Sequence, residues 1–177
     1  MTNLIKQYGT AQPPVDRRDF AVNGLAFSLE DGALRHIKVD GKEAIRGISF
    51  LVRDRDWGTL VPEISNEKID HKATELRISY LARYRNQGAL LEVAISMVAT
   101  PASLTVSADA KTTGDFETNR AGFTVLHPID EVAGCPVRVD HSEGPATVSR
   151  FPMLIDPWQP FMDITALTHH VGHNKVE

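Results

Sequence analysis

The chain has 177 residues, of which 42% are hydrophobic and 24% charged, and its formal net charge is −4. These values predict one soluble globular domain, or a domain and a half, whose core needs no metal or disulfide. The charges are interspersed and no run approaches about 18 apolar residues, so we expect neither a nucleic-acid partner nor a membrane span. The N-terminus lacks the apolar segment of a signal peptide and the chain has a single cysteine, Cys135, which together predict a cytoplasmic protein.

The first 24 residues are predicted to form an N-terminal arm. Pro13-Pro14 and the charged run at residues 16–19 are typical of a linker rather than of a core element. From Leu25 onward the strand signals follow one another closely, so residues 25–177 are predicted to form one β-sandwich domain.

A first meander of three strands is predicted between residues 25 and 52. Apolar side chains alternate with polar or small ones at residues 25–29, 33–39 and 44–52. Asp31-Gly32 and Asp40-Gly41 separate these runs, and Asp-Gly pairs favour tight hairpin turns.

A second meander is predicted at residues 75–85, 91–97 and 103–111, where alternation is strict. One apolar and one polar face on each strand is typical of an antiparallel sheet that is covered on one side. Three arginines of the first of these strands lie on its polar face, which we expect to be solvated, namely Arg77, Arg83 and Arg85. No segment has a helical apolar stripe over three turns, so we expect an all-β, antiparallel β-sandwich with almost no helix.

Shorter strands are predicted at residues 122–127, 137–140, 147–150 and 163–171. Few residues follow the last of them, and an unpaired strand exposes a sheet edge. We therefore expect the domain to be incomplete at its C-terminal end. The partner of this strand is expected beyond residue 177 or in another chain, which leaves a homo-oligomer open.

The loop at residues 53–59 is the first candidate for a binding site. Four alternating charges, among them Asp54, lead to Trp57-Gly58. An indole ring stacks on the face of a sugar, and carboxylates accept hydrogen bonds from its hydroxyls, so Asp54 and Trp57 are candidate substrate contacts. The alternative is a solvated turn in which Trp57 caps the core.

The stretch at residues 119–128 is the second candidate. Asn119 and Arg120 begin a predicted strand, and His127-Pro128 ends it. Asn119 and Arg120 are candidate substrate contacts, and His127 is a candidate general base. The strand rise separates its two ends by roughly 20–25 Å, so they cannot share one small site. The alternatives are a buried His127 that is hydrogen-bonded to a loop carbonyl, and an Arg120 that clamps a loop carboxylate.

Trp158 completes the candidate substrate contacts, within an aromatic and proline-rich segment at residues 157–161. His169 and His173 share a strand face and, with His141, have the residue types of a metal site. The spacing is loose for such a site, so we expect neither a metal nor a cofactor. No Gly-x-Ser-x-Gly elbow or phosphate-binding loop is present.

Short motifs along the chain resemble the N-terminal region of the D-apionate lactonase family. They lie at residues 8–10, 32–37, 48–54, 57–59, 119–123, 126–128, 151–152 and 159–161. The resemblance implies a β-sandwich from a hydrolase of sugar-acid catabolism that opens a lactone. It also implies much longer members, in which the sandwich leads into a barrel-type domain, so this chain is expected not to be catalytically complete alone. The hairpin at residues 32–37 has a weaker similarity to galactose-mutarotase-like sandwiches. A free-standing carbohydrate-binding or aldose-mutarotase-like module is therefore the alternative.

Overall fold

The computed structural model describes residues 4–12, 14–156 and 158–177, so Pro13 and Pro157 lie outside the described residues. Strands make up 60% of the structure and helices 5%, which confirms the predicted all-β, antiparallel sandwich. The elements in chain order are α1 (Leu4–Tyr8), β1 (Arg17–Val22), β2 (Leu25–Glu30), β3 (Ala33–Val39), β4 (Lys42–Arg53), β5 (Glu63–His71), β6 (Leu76–Asn86), β7 (Ala89–Thr100), β8 (Ser103–Thr113), β9 (Arg120–Leu126), α2 (Ile129–Val132), β10 (Pro136–His141), β11 (Thr147–Arg150), β12 (Ile164–Val171) and β13 (Asn174–Val176).

Three antiparallel sheets build the molecule. A five-stranded sheet has the order β1-β2-β3-β4-β9, and a four-stranded sheet has the order β5-β6-β7-β8. Their apolar faces pack together as the main sandwich. The third sheet, with the order β11-β10-β12-β13, is smaller and has a core of its own. Both predicted meanders are confirmed as β2–β4 and β6–β8.

The two Asp-Gly pairs form the hairpin turns that the sequence predicts. Asp31 and Gly32 have φ angles of 45° and 75°, and Asp40 and Gly41 have φ angles of 49° and 81°. Positive φ at both central residues defines the type I′ turn, which matches the twist of the flanking strands. At Gly32 a side chain is also sterically excluded, because an added Cβ would lie 2.9 Å from the Tyr80 hydroxyl oxygen.

Two tyrosines of β6 link the sheets of the main sandwich through hydrogen bonds. The Tyr80 hydroxyl donates to the carbonyl of Gly32 at 2.6 Å, and the Tyr84 hydroxyl donates to the carbonyl of Phe50 at 3.1 Å. Both rings are buried among aliphatic side chains, and the hydroxyls need partners there. These bonds hold the turn before β3 and the middle of β4 against β6.

The N-terminal segment differs from the predicted arm. Residues 17–22 form β1, which pairs along its whole length with β2 and places Val22 in the core. The charged run conceals the strand alternation, because Arg18 faces β5 and makes a two-pronged ion pair with Glu67 there. Asn66, beside that pair, has a positive φ at a register shift in β5, and this irregularity hides β5 from pattern reading.

The last long strand has part of its partner within the chain, because β13 pairs with residues 169–171, whereas residues 164–168 pair with β10 alone among the described strands. β12 pairs with β10 on one side and with β13 on the other. Gly172 has a φ of 60°, which reverses the chain and returns it as the three-residue strand β13. A strand this short has too little alternation to be recognised from sequence.

No helix in the part of the chain that the structure describes is long and apolar enough to cross a membrane.

Candidate functional site

The strand β9 separates the candidate site residues into two groups. Arg120 and Leu126 are its first and last residues, so Arg120 and His127 are roughly 23 Å apart by strand rise. We call residues 53–59 and 118–120 the Trp57 corner. We call His127, Phe151, Phe161 and His169 the His127 cluster.

Strand pairing assembles the Trp57 corner. β4 and β9 are antiparallel neighbours in which Arg53 lies opposite Arg120, so the loop after β4 meets the residues before β9. The backbone N–H of Asn119 donates to the Arg53 carbonyl at 3.0 Å, and the Thr118 hydroxyl donates to the same carbonyl at 2.6 Å. Four of the five candidate substrate contacts therefore lie together, namely Asp54, Trp57, Asn119 and Arg120.

Asp54 is a structural residue of this corner. One oxygen of its carboxylate accepts hydrogen bonds from the backbone N–H groups of Asp56, at 2.9 Å, and Gly58, at 2.8 Å. A Cβ at Gly58 would lie 2.4 Å from the other oxygen, so only glycine fits against the carboxylate. Asp54 therefore shapes the loop, and one of its two oxygens is engaged by the backbone.

Trp57 has a strained backbone and an exposed ring. Its φ is 69°, which is an outlier for a bulky residue, and the ring is 53% exposed. The conformation is held because Arg53 donates to the Trp57 carbonyl at 2.8 Å and the Trp57 N–H donates to the Asp54 carbonyl at 3.2 Å. The interpretation of Trp57 as a cap of the core is therefore wrong.

Arg120 lies over this indole. Its guanidinium carbon is 5.1 Å from the ring centroid, within the range of a cation–π interaction. Among the described residues no carboxylate lies within 4.0 Å of its nitrogens, so the structure does not support a clamp on a loop carboxylate. The corner thus presents an aromatic face beside a cation without a carboxylate partner.

At the other end of β9, the imidazole of His127 packs among aromatic rings. Its centroid is 5.2 Å from that of Phe151 and 5.1 Å from that of His169. Phe151 and His169 are themselves 5.1 Å apart, and Phe161 closes the group at 5.8 Å from Phe151. Nδ1 of His127 is buried without a partner, so the predicted hydrogen bond to a loop carbonyl is absent at that atom.

The surroundings of the cluster favour the neutral form of both imidazoles. Burial lowers the pKa of His127 to about 4, and the neighbouring His169 adds to the shift. Burial also lowers the pKa of His169, whose two ring nitrogens have no partner. The neighbours of His127 in this cluster are aromatic, whereas a catalytic base is oriented by a hydrogen-bonding group.

A groove of about 700 Å³ lies beside His127, between the main sandwich and the small sheet. This volume is within the range of small-molecule sites. Its walls are mainly apolar and come from three directions. They include Ile37, Ile48 and Val125 from the five-stranded sheet, Leu104 from β8, and Ile164 and Leu167 from β12.

The histidines considered for a metal do not meet. The two ring nitrogens of His141 are hydrogen-bonded, to the Met162 carbonyl and the Thr147 hydroxyl, each at 3.0 Å. His169 belongs to the His127 cluster, and His173 is exposed in the turn before β13. Among residues 4–12, 14–156 and 158–177, no group of three His, Cys, Asp or Glu side chains is placed to hold a metal ion.

Trp158 belongs to neither group. It lies between β11 and β12 and is 82% exposed. Sequence reasoning missed His169 as the partner of His127. The parity of β12, in which Leu167, His169 and Val171 share one side, is the signal that could have found it.

Comparison with known proteins finds a family match over nearly the whole chain. The chain matches the family model described as D-apionate lactonase, N-terminal domain, over residues 5–177. It is 42% identical over 164 residues to the D-apionate lactonase of Brucella anthropi, which covers 92% of this chain and 27% of that protein. The chain therefore spans about a quarter of the length of the curated relative that it matches. No solved structure matches it.

Proposed function

Because the chain belongs to the family of D-apionate lactonase N-terminal domains, we propose that it is the amino-terminal β-sandwich of an enzyme that hydrolyses the lactone of D-apionate. The observation that carries the proposal is the match over nearly the whole domain, at 42% identity to a protein of that name. A cytoplasmic location is part of the proposal, because a sugar-acid hydrolase with a single cysteine suits a reducing compartment.

We propose further that hydrolysis needs residues outside this domain. His127, the candidate general base, packs against Phe151 and His169 rather than against a carboxylate. With a pKa of about 4 it is a weak base at neutral pH. Four of the candidate substrate contacts, Asp54, Trp57, Asn119 and Arg120, lie about 23 Å away, at the far end of β9. The domain thus supplies binding surface and support to the longer protein.

The Trp57 corner is the part of this domain that we assign to the sugar. The exposed indole suits the apolar C–H face of a sugar ring, and Arg120 suits the carboxylate of the acid or the carbonyl of its lactone. Asp54 positions Trp57, and Asn119 flanks the corner as a further hydrogen-bonding side chain. A free-standing carbohydrate-binding module remains the second candidate, since the same corner would serve it.

Lactone hydrolysis tests the first proposal. The 177-residue chain, the Brucella anthropi enzyme and a chimera of the two, in which this chain replaces the matched segment, are assayed with D-apionate lactone by pH-stat. We expect spontaneous rates with the chain alone and enzymatic rates with the other two. A rate above background with the chain alone would contradict the proposal that hydrolysis needs residues outside this domain. A folded but inactive chimera would contradict the assignment of function.

Tryptophan fluorescence tests the Trp57 corner. The chain has two tryptophans, so Trp158→Phe leaves Trp57 as the only reporter. Titration with sodium D-apionate is expected to change the emission with millimolar affinity, and Arg120→Gln is expected to weaken it several-fold. Arg55→Gln is the matched control, since Arg55 is an exposed arginine of the same loop that is paired with Glu117. An equal effect of both variants would refute a specific role for Arg120.

A further inference from the structure

One loop of the small sheet exposes an unusual amount of apolar surface. Met153, Leu154, Ile155 and Trp158 lie between β11 and β12, and their exposed fractions range from 71% to 88%. We call these four residues the apolar loop. Asp156 is the only charged residue between Phe151 and Met162. Soluble proteins rarely display adjacent large apolar side chains in this way unless the surface binds something.

A buried and a partly buried phenylalanine fix the two ends of this loop. Phe151 is 8% exposed, and its backbone N–H and carbonyl are bonded to Cys135 and Gly134, each at 3.0 Å. Phe161 packs edge-on against Phe151 at the other end. The exposed side chains of the apolar loop therefore lie on a backbone that is held at both ends. Binding a partner costs less conformational entropy there than it would on an unstructured tail.

We propose that the apolar loop is the docking surface for the polypeptide that forms the other three-quarters of the longer relatives. This inference rests on the proposed function only in requiring that longer protein. The family match includes the loop, and the curated relative is nearly four times longer than the matched segment. A nearly uncharged patch of aliphatic residues, methionine and tryptophan has the composition of a permanent interface core.

The chemistry of the loop favours this occupant over a lipid surface. Membrane-binding segments combine apolar residues with lysine or arginine, which meet anionic headgroups. Residues 151–162 contain no lysine or arginine, and the chain carries a net charge of −4. A protein partner with an apolar pocket matches this loop better than an anionic bilayer does.

Hydroxyl-radical footprinting tests the proposal, because methionine and tryptophan are reactive side chains. Oxidation of Met153 and Trp158 is measured in the 177-residue chain and in the chimera described above, with the exposed Tyr8 as the internal reference. We expect roughly tenfold protection of both residues in the chimera. Equal oxidation in the two proteins would overturn the proposal. If the chimera does not fold, the oxidisable side chains in the aligned segment of the Brucella anthropi enzyme are compared between that whole enzyme and its isolated N-terminal quarter, with the same criterion.

A pair of substitutions gives an independent readout. Leu154→Ser with Ile155→Ser is expected to lower the melting temperature of the chimera by roughly 5 °C or more and to leave the isolated chain unchanged. Val61→Ser is the matched control, since Val61 is 86% exposed in the loop between β4 and β5. Equal effects of the pair and the control in the chimera would contradict the proposal.

The remaining occupants give distinct results. Protection of the isolated chain on raising its concentration would assign the loop to a second copy. Protection by phosphatidylcholine–phosphatidylglycerol vesicles would assign it to a membrane, and either result overturns the proposal. Lactone hydrolysis separates the two proposals: an active chimera with an oxidisable loop refutes docking alone, and a protected loop in an inactive chimera refutes the function alone.

Discussion

The half-buried imidazole of His127 makes the stability of the domain depend on pH in a range where carboxylates contribute little. Unfolded histidine has a pKa near 6.5, whereas burial among Phe151 and His169 lowers the pKa of His127 to about 4. Between pH 6.5 and pH 4, His127 is mostly protonated in the unfolded chain and mostly unprotonated in the folded chain. The stabilising contribution is therefore present above about pH 6.5 and is lost as the pH falls towards 4.

The linkage relation gives the size of this loss. With pKa values of 6.5 and 4, lowering the pH from 7 to 5 removes about 2 kcal/mol of unfolding free energy through His127. His169 acts in the same direction, because burial lowers its pKa as well. Glu67, whose pKa is lowered by Arg18, loses its contribution only below its unfolded pKa, at about 4.5. The window from pH 7 to 5 therefore separates histidine titration from that of Glu67, and the His127 variant assigns the share that belongs to His127.

Urea unfolding at pH 7.0 and 5.0, followed by far-UV circular dichroism, measures this effect. His127→Phe keeps a ring against Phe151 and removes the titration, so its loss over the window is expected to be about 2 kcal/mol smaller than in the wild type. At pH 7 the variant is expected to be as stable as the wild type, because it also removes the unpartnered Nδ1.

Glu67→Gln is the control, and it is expected to show the same loss between pH 7 and 5 as the wild type. The reasoning is refuted if His127→Phe loses as much stability as the wild type, to within 0.5 kcal/mol. That result would mean that His127 is protonated freely from the groove, and the interpretation as an accessible base would regain support.

Three further substitutions test the local geometry. Gly32→Ala is expected to cost roughly 2–3 kcal/mol in thermal unfolding, because it adds a positive-φ penalty to a contact of 2.9 Å with a buried tyrosine hydroxyl. Gly41→Ala, with positive φ and no neighbour within 4 Å, should cost only about 1 kcal/mol, and equal losses would contradict the steric argument. Asp54→Ala removes two hydrogen bonds to the loop and is expected to lower the fluorescence anisotropy of Trp57. Unchanged anisotropy would show that other contacts hold the ring.

Much of the fold was predictable because its strands are regular and half-buried. β6 and β7 pair over eleven consecutive residues, and their alternation follows from one core-facing and one solvated side. The Asp-Gly turns were predictable because few residue pairs tolerate positive φ at two successive positions. β5 was not, because a register shift between Ser65 and Lys68 interrupts its alternation.

The candidate sites were predictable only in part, because contacts between distant segments decide them. The meeting of Trp57 with Arg120 depends on the pairing of β4 with β9, which sequence spacing does not reveal. The partner of His127 comes from β12, 42 positions later in the numbering, through the packing of the small sheet. Long-range pairing of this kind leaves no local pattern.

The two ends of β9 therefore differ in structural role, since one borders an exposed corner and the other leads into the packing between two sheets. At its start, Arg120 lies over the exposed ring of Trp57, and hydrogen bonds within that loop hold its strained backbone. At its end, His127 joins the small sheet to the sandwich through rings rather than through hydrogen bonds. A strained, exposed and hydrogen-bonded corner is the arrangement expected of a ligand contact. A neutral histidine that packs against aromatic rings beside an apolar groove is the arrangement expected of a packing contact between two sheets. Since Phe151 packs against His127 and precedes the apolar loop, substitutions at His127 should weaken docking of the remaining polypeptide more than binding at the Trp57 corner.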